Sequence, residues 1–109
     1  MMKRTTITLN FLNHRLTTTT VKGYHTFDMH GFSFVVHRAH YQTDTGFRPG
    51  KGWCVSETTC GARCYSTGVA TREEAISIAK ANVAGCTQEN FASKVRDRII
   101  EQAKALLGE

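Results

Sequence analysis

The amino-acid sequence predicts an α+β fold, in which an antiparallel sheet of three to five strands is followed by two helices packed on one face. Fourteen of the fifteen threonines fall at or before residue 71, and threonine favours strands over helices. At that residue the hydrophobic period also changes from about 2 to about 3.6. A chain of 109 residues fits one domain, so we expect the strands within 1–68 and the helices within 71–109.

Alternation of apolar and polar residues predicts three strands before residue 42, at 6–11, 24–29 and 32–41. A turn at His30-Gly31 joins the last two. In strand 32–41, Phe34 and Val36 share one face, while Val35 and His37 lie on the other. We expect the sheet face away from the helices to be open, either to solvent or to a binding partner.

A loop and a hairpin complete the strand region. Residues 42–52 contain three glycines and the only proline of the chain, which predicts a loop. Strands at 53–57 and 62–67 are then predicted to form a hairpin around the turn 58–61.

Two registers of this hairpin remain open. If Val55 lies opposite Cys64, then Trp53 and Val55 face the helices, while Cys54, Ser56, Arg63 and Tyr65 face outward. If Val55 lies opposite Arg63, then Trp53 pairs with Tyr65, and Cys54 lies opposite Cys64, within reach of a disulfide. We favour the first register because it keeps Arg63 out of the core.

Capping signals predict the two helices. Thr71-Arg72-Glu73-Glu74 is a capping box that starts a helix over 72–84, and Gly85 is a natural stop. Thr87 caps a second amphipathic helix over 88–107. The residues predicted to be buried together are Phe34, Val36, Trp53, Val55, Ile76, Ala79, Val95 and Ile99.

The charge of the chain is distributed unevenly. The net charge is +5, from 14 basic and 9 acidic residues. Residues 1–70 hold eight basic and three acidic groups, whereas residues 71–109 hold six of each. This balance favours an acidic protein surface, a nucleoprotein complex or nucleic acid as partner. The alternative is that the charge serves only solubility.

A basic patch with an aromatic centre is the predicted working surface. The long loop 42–52 carries two cations, and loops held on a rigid sheet commonly bind partners. The residues predicted to bind the partner are His37, Arg38, Arg48, Lys51, Arg63 and Tyr65.

Catalytic and metal-binding patterns are absent from the sequence. No nucleophile with its base and orienting group stands out, although Cys54, His37 and Asp28 form one combination to test. The spacing Cys54-x5-Cys60-x3-Cys64 differs from that of structural zinc sites. We therefore expect no enzyme activity, no cofactor and no bound metal.

The chain lacks sequence signals for membranes. It has no run of 18 apolar residues, and the basic start is followed by polar threonines rather than by an apolar signal-peptide core. We expect a cytoplasmic protein, whose cysteines a reducing compartment would keep as thiols.

One stretch resembles a known family, the HicB-type antitoxin domains. The matching residues are Gly52-Trp53-Cys54-Val55-Ser56, Gly61, Thr67-Gly68, Thr71-Arg72-Glu73-Glu74-Ala75-Ile76 and Ala79. This resemblance implies a partial double-stranded-RNA-binding-like fold and an antitoxin or regulatory role. In length and layout the chain also looks like small phage- or prophage-encoded inhibitors of bacterial defence, including anti-CRISPR proteins, which dock on large nucleoproteins.

We expect a small non-enzymatic binding protein that docks through a basic surface on a macromolecular partner and inhibits or modulates it. The alternative is a nucleic-acid-binding or HicB-like regulatory module. Either protein could be a monomer or a homodimer, because an edge strand of the sheet is free to pair.

Overall fold

A computed structural model describes residues 2–12, 16–43, 46–62 and 68–107. Four antiparallel strands pair in chain order and two helices follow, which confirms the predicted α+β fold class. The elements are β1 (Lys3–Leu12), β2 (Leu16–Met29), β3 (Phe32–Thr43), β4 (Gly46–Glu57), α1 (Arg72–Ala84) and α2 (Gln88–Leu106).

All four strands are longer than the sequence predicted, and β2 and β4 exceed the prediction most. β2 begins at Leu16 rather than at Tyr24, because the run Thr17–Thr20 continues the strand and pairs with β1. β-branched threonine fits a strand well, which explains the extension. The prediction of a loop over 42–52 is wrong, since residues 46–52 belong to β4 and pair with the end of β3.

The helix-side face of the sheet carries the main core. Phe34 and Val36 of β3 are buried with Val55 of β4, and α1 covers them with three small or branched residues, Ala75, Ala79 and Val83. Phe27 stacks on Phe34 with ring centroids 4.6 Å apart. Burial of these apolar side chains is the main force that holds α1 on the sheet.

Most of the predicted core is confirmed. Phe34, Val36, Val55 and Ala79 are buried together, Trp53 and Ile76 are partly buried against them, and Val95 is buried on α2. The prediction for Ile99 is wrong, because its side chain is 40% exposed. Gln102 takes the inward position one turn later, where its Nε2 donates to the Cys60 carbonyl at 2.8 Å.

The sheet curls until β1 meets the turn that follows β4. β1 and β4 lie at opposite ends of the strand order, yet the Asn10 amide donates to the Gly61 carbonyl at 3.2 Å. The Asn10 side chain also donates to the Cys60 carbonyl at 2.8 Å. A second apolar cluster fills the face enclosed by this curl, built from Ile7, Leu9 and Val35.

The expectation of an open second sheet face is therefore wrong. Val35, His37, Cys54 and Ser56 occupy that face and are at most 2% exposed. The alternating pattern of β3 and β4 correctly separates the two faces. It does not reveal that β1 and the turn after β4 fold over the second one.

The turn after β4 is held by a buried carboxylate. Glu57 accepts hydrogen bonds from the backbone amides of Thr59, at 2.7 Å, and Cys60, at 2.9 Å. Gly61 follows with a φ of +66°, in the left-handed region that favours glycine. The predicted turn at 58–61 is thus present.

The second strand of the predicted hairpin lies largely outside the described residues. Its residues 63–67, and with them both proposed registers for Val55, are not among the described ranges. Ala62 is not in a strand, although its carbonyl accepts from the Glu57 amide at 3.0 Å. Val69 forms an isolated antiparallel bridge with Trp53.

Both helix starts are capped as the sequence predicted. The Thr71 hydroxyl accepts from the Glu74 amide and the Thr87 hydroxyl accepts from the Asn90 amide, each at 3.1 Å. α1 ends at Ala84 with Gly85 as its C-terminal cap. In the described ranges, no helix has the length and apolar character needed to cross a membrane.

Candidate functional site

His37, predicted to bind the partner, is buried within the curled sheet. Its side chain is 0% exposed. Nδ1 lies 2.7 Å from the Arg38 carbonyl, which can only accept, so Nδ1 carries a hydrogen. In the neutral ring, Nε2 then accepts from the Ser56 hydroxyl at 2.8 Å. The location predicted for His37, on an outward face, is wrong because that face is enclosed.

Arg38 lies on the opposite face of β3 and is exposed. It is directly opposite Trp53 in the register of β3 and β4. Its guanidinium carbon sits 4.9 Å from the centre of the Trp53 ring, which is a cation–π contact.

Arg72, the first residue of α1, extends this arrangement. Its guanidinium carbon lies 5.5 Å from the Trp53 ring centre and 5.2 Å from the Tyr24 ring centre. The capping hydroxyl of Thr71 fixes the start of the helix and hence the position from which Arg72 extends over the sheet. Arg38, Trp53, Arg72 and Tyr24 together form what we call the cation–aromatic surface.

Two further cations border the cation–aromatic surface. Arg4 of β1 is the register partner of Tyr24, and Lys22 precedes Tyr24 by two residues on the same face of β2. Both side chains are exposed. Within the described ranges, none of Arg4, Lys22, Arg38 and Arg72 forms an ion pair with an acidic side chain.

The other cations of the predicted working surface do not all lie on the cation–aromatic surface. Arg48 and Lys51 are exposed on β4. Arg48 pairs with Tyr41, beyond the register shift that separates Arg38 from His40, so it does not belong to the regular ladder that holds Arg38 and Trp53. Lys51 lies in the irregular stretch between Pro49 and Trp53. Arg63 and Tyr65 lie outside the described residues.

Sequence reasoning missed most of the cation–aromatic surface. The sequence pattern predicts Trp53 as a core residue only, and it does not distinguish Tyr24 or Arg72 from other strand and helix residues. The available signal was the alternation of β2, which puts Lys22 and Tyr24 on the same face. The register that brings β2, β4 and the start of α1 together depends on long-range packing.

The combination of Cys54, His37 and Asp28 is not assembled as a catalytic set. Cys54 lies opposite His37 in the strand register, but both side chains are fully buried. Asp28 instead contacts His25, whose Nε2 is 2.9 Å from its carboxylate. This hydrogen bond, with one from Ser33, lowers the pKa of Asp28.

The part of the chain that the structure describes has no group of three or more His, Cys, Asp or Glu placed to hold a metal ion. Cys60 is also a poor ligand. Burial raises the pKa of its thiol to about 11, and the nearby Glu57 carboxylate acts in the same direction. The absence of zinc stays a prediction that elemental analysis can check.

A cleft of about 490 Å³ lies between α1, α2 and the turn after β4. Phe91 and Val83 line its apolar part, while Lys94, Asp97 and Glu101 are among its charged residues. Because these charges have both signs, the cleft selects no single class of ligand, and we assign it none.

In comparisons with known proteins, the chain matches no family model, no curated protein and no solved structure significantly.

Proposed function

We propose that this chain is a non-enzymatic binding protein that docks on an acidic face of a macromolecular partner and inhibits or modulates it. The cation–aromatic surface carries the proposal. Trp, Tyr and Arg are the residues that most often dominate the binding energy of protein interfaces. Here two arginines and two aromatic rings of these types contact one another on one surface.

The stacked arginines are prepared to recognise carboxylates. A guanidinium held against a ring loses less conformational freedom on binding than a freely moving one. Its edge still presents a planar set of N–H donors, which match the two oxygens of a carboxylate. Arg4 and Lys22 widen the positive field that attracts such a partner.

An acidic protein face fits this surface better than single-stranded nucleic acid. Proteins that bind single strands stack bases on exposed aromatic faces. In this chain Arg38 lies over the ring of Trp53, and Arg72 lies over the rings of both Trp53 and Tyr24. The nucleic-acid-binding and HicB-like regulatory alternatives are therefore outcomes of the test below.

The proposed setting is the cytoplasm of a bacterial cell, with the gene carried by a phage or prophage. The resemblance in length and layout to small anti-defence proteins motivates the proposal of a phage or prophage gene. The cytoplasmic setting is consistent with Cys60 and Cys86, which are free thiols, as a reducing compartment would keep them.

An affinity capture from a bacterial lysate, with and without nuclease, tests the proposal. We expect the chain to retain a protein partner after nuclease treatment. The variant Arg38→Glu with Arg72→Glu should lose at least about tenfold of the captured partner, because it reverses both stacked cations. Loss of all captured material on nuclease treatment would instead favour the nucleic-acid alternative.

The matched control is Lys80→Glu with Lys94→Glu, which makes the same change in net charge on exposed positions of α1 and α2. It should capture the partner as the unmodified chain does. Equal losses in both double variants would show that only net charge matters, and would contradict docking through the cation–aromatic surface. Far-ultraviolet circular dichroism must confirm that each variant is folded.

A further inference from the structure

Among the residues whose side-chain exposure the structure describes, the large exposed hydrophobic ones all lie near the end of α2. Their exposed fractions are 40% for Ile99, 47% for Ile100, 74% for Leu106 and 76% for Leu107. Ile99, Ile100 and Leu106 lie in the last turns of the helix, next to exposed Ala103, and Leu107 is its C-terminal cap. Val95 and Gln102 face the body of the protein and fix the rotation of the helix. Within the part of the chain that the structure describes, the exposed stripe is therefore left open to solvent.

This stripe has the seven-residue spacing of a helix that packs against another helix. Arg96, Ile100, Ala103 and Leu107 follow one another at intervals of four, three and four residues, so every second one of them is seven residues away. Ile99 and Leu106, also seven apart, lie on the flank nearer the core. Asp97 and Lys104 occupy the other flank at the same spacing. We call the line of Arg96, Ile100, Ala103 and Leu107 the α2 seam.

We infer that the α2 seam pairs antiparallel with the α2 seam of a second copy of this chain. A twofold axis between the helices sets Ile100 against Ala103 of the second copy, and Leu107 against the aliphatic stem of its Arg96. The same register brings Ile99 against Leu106 of the second copy on one flank. Apolar residues thus meet at the centre of the seam and on this flank, and at its ends Leu107 covers the stem of Arg96.

The charges on the other flank support this occupant and this orientation. In antiparallel pairs, residues on one flank meet the same flank of the partner helix, so Asp97 faces Lys104 of the second copy, and Lys104 faces its Asp97. Neither side chain forms an ion pair in the described part of the chain, whereas neighbouring Arg98 already contacts Glu101 at 3.8 Å. The antiparallel register therefore forms two Asp97–Lys104 ion pairs between the copies.

Other occupants of the seam fit less well. A parallel second helix would not bring Asp97 and Lys104 together. An anionic lipid surface would attract Arg96 and Lys104 but would leave Asp97, beside the apolar stripe, without a cationic partner. Because the seam covers only about three turns, the interface falls at the small end of specific interfaces, below about 1,200 Å², and the dimer should depend on concentration.

Sedimentation equilibrium of the full chain tests the inference over about 10 µM to 1 mM, the range of weak association. The average mass should rise with concentration from 12.1 kDa toward twice that value. Ala103→Glu should raise the dissociation constant at least about tenfold, since it places a charge in the seam. Its matched control is Ala81→Glu, the same change at an exposed position of α1, which should leave the constant unchanged.

Charge exchange tests the register and does not disturb the apolar contacts. Asp97→Lys alone and Lys104→Asp alone should each weaken the dimer, because each sets like charges against each other. The double variant, and an equal mixture of the two single variants, should restore it, because both pairs become complementary again. Failure to restore association would overturn the antiparallel register.

Two further results would overturn the inference altogether. The unmodified chain could remain monomeric at the highest concentration, or Ala103→Glu could dimerise as well as Ala81→Glu does. Monomeric chain that co-sediments with phosphatidylcholine–phosphatidylglycerol vesicles would assign the stripe to a lipid surface instead. Since no residue of the α2 seam belongs to the cation–aromatic surface, these outcomes are independent of the proposed function.

Discussion

Gly61 is the residue at which β1 and the turn after β4 come together. A Cβ atom there would collide with the carbonyl oxygen of Thr8 and would lie 2.9–3.0 Å from atoms of Asn10. Its backbone also has a positive φ of +66°. Gly31 offers a matched comparison, because its φ is +85° but a Cβ would meet nothing within 4 Å.

We predict that Gly61→Ala destabilises the protein more than Gly31→Ala does. The left-handed backbone should cost each variant about 1–2 kcal/mol. The collision with β1 should add about 1–3 kcal/mol in Gly61→Ala, as overpacking does in a dense core. Urea denaturation followed by circular dichroism measures both values. Equal losses in the two variants would contradict the close contact between β1 and the turn after β4.

Cys60 and Cys86 should differ in reactivity. Cys60 is buried and has a thiol pKa of about 11, whereas Cys86 is partly exposed. At pH 8, a thiol with that pKa is ionised in only about one molecule in a thousand, and the thiolate is the reactive form. Iodoacetamide should therefore label Cys86 at least about tenfold faster than Cys60 in the folded protein.

Peptide mapping by mass spectrometry gives both rates, with urea-unfolded protein as the control in which the difference disappears. Cys60 labelled as fast as Cys86 in the folded protein would contradict the burial of the turn.

The raised pKa of the Cys60 thiol also makes the free energy of unfolding depend on pH. The unfolded thiol ionises near 9.0 and the folded one near 11, so the stabilisation by neutral Cys60 is present below pH 9 and lost as pH rises through 11.

At the scale of single elements, β4 shows why a loop was predicted where a strand exists. Glycine and proline normally interrupt strands, and residues 46–52 contain three glycines and the only proline of the chain. Proline is tolerated, however, on an edge strand or at a bulge, and β4 ends the strand order. Pro49 lies opposite His40 beside an irregular stretch, where Gly52 adopts a φ of +89°. The glycines and the proline of residues 46–52 therefore indicate a bulged edge strand rather than a loop.

The exposed cations of β4 remain part of the predicted working surface. We predict that Arg48→Glu with Lys51→Glu leaves the free energy of unfolding nearly unchanged, because both side chains are exposed. The variant should bind the partner more weakly at low salt. This loss should shrink as salt rises, since screening acts over about 8–10 Å near physiological ionic strength.

Binding measured by biolayer interferometry at several salt concentrations, with the partner obtained by capture, tests this prediction. Unchanged affinity at low salt in a folded variant would remove Arg48 and Lys51 from the docking surface. A loss that did not decrease with salt would indicate a contact other than a screened charge interaction.

At the scale of the whole molecule, local patterns and long-range packing were predictable to different degrees. Fold class, helix starts and the residues of the main core followed from periodicity and capping, because these depend on neighbours in sequence. The burial of His37 did not, since it depends on β1 and the turn after β4 closing over one sheet face. The same holds for the cation–aromatic surface, which draws residues from two strands and a helix start.

This closure also explains why the proposed docking surface lies on the helix side. One face of the sheet is enclosed by the curl, and α1 covers the centre of the other. The uncovered part of the helix-side face carries Tyr24, Trp53 and the cations around them. We propose that the partner docks on this part of the sheet.

Fluorine NMR of the chain labelled with 5-fluorotryptophan tests that claim most directly. Trp53 is the only tryptophan, so the label gives one signal, at the centre of the cation–aromatic surface. We predict that the unlabelled captured partner shifts or broadens this signal, and that Arg38→Glu with Arg72→Glu abolishes the effect while Lys80→Glu with Lys94→Glu does not. A partner that binds with full affinity and leaves the Trp53 signal unchanged would contradict docking at this surface.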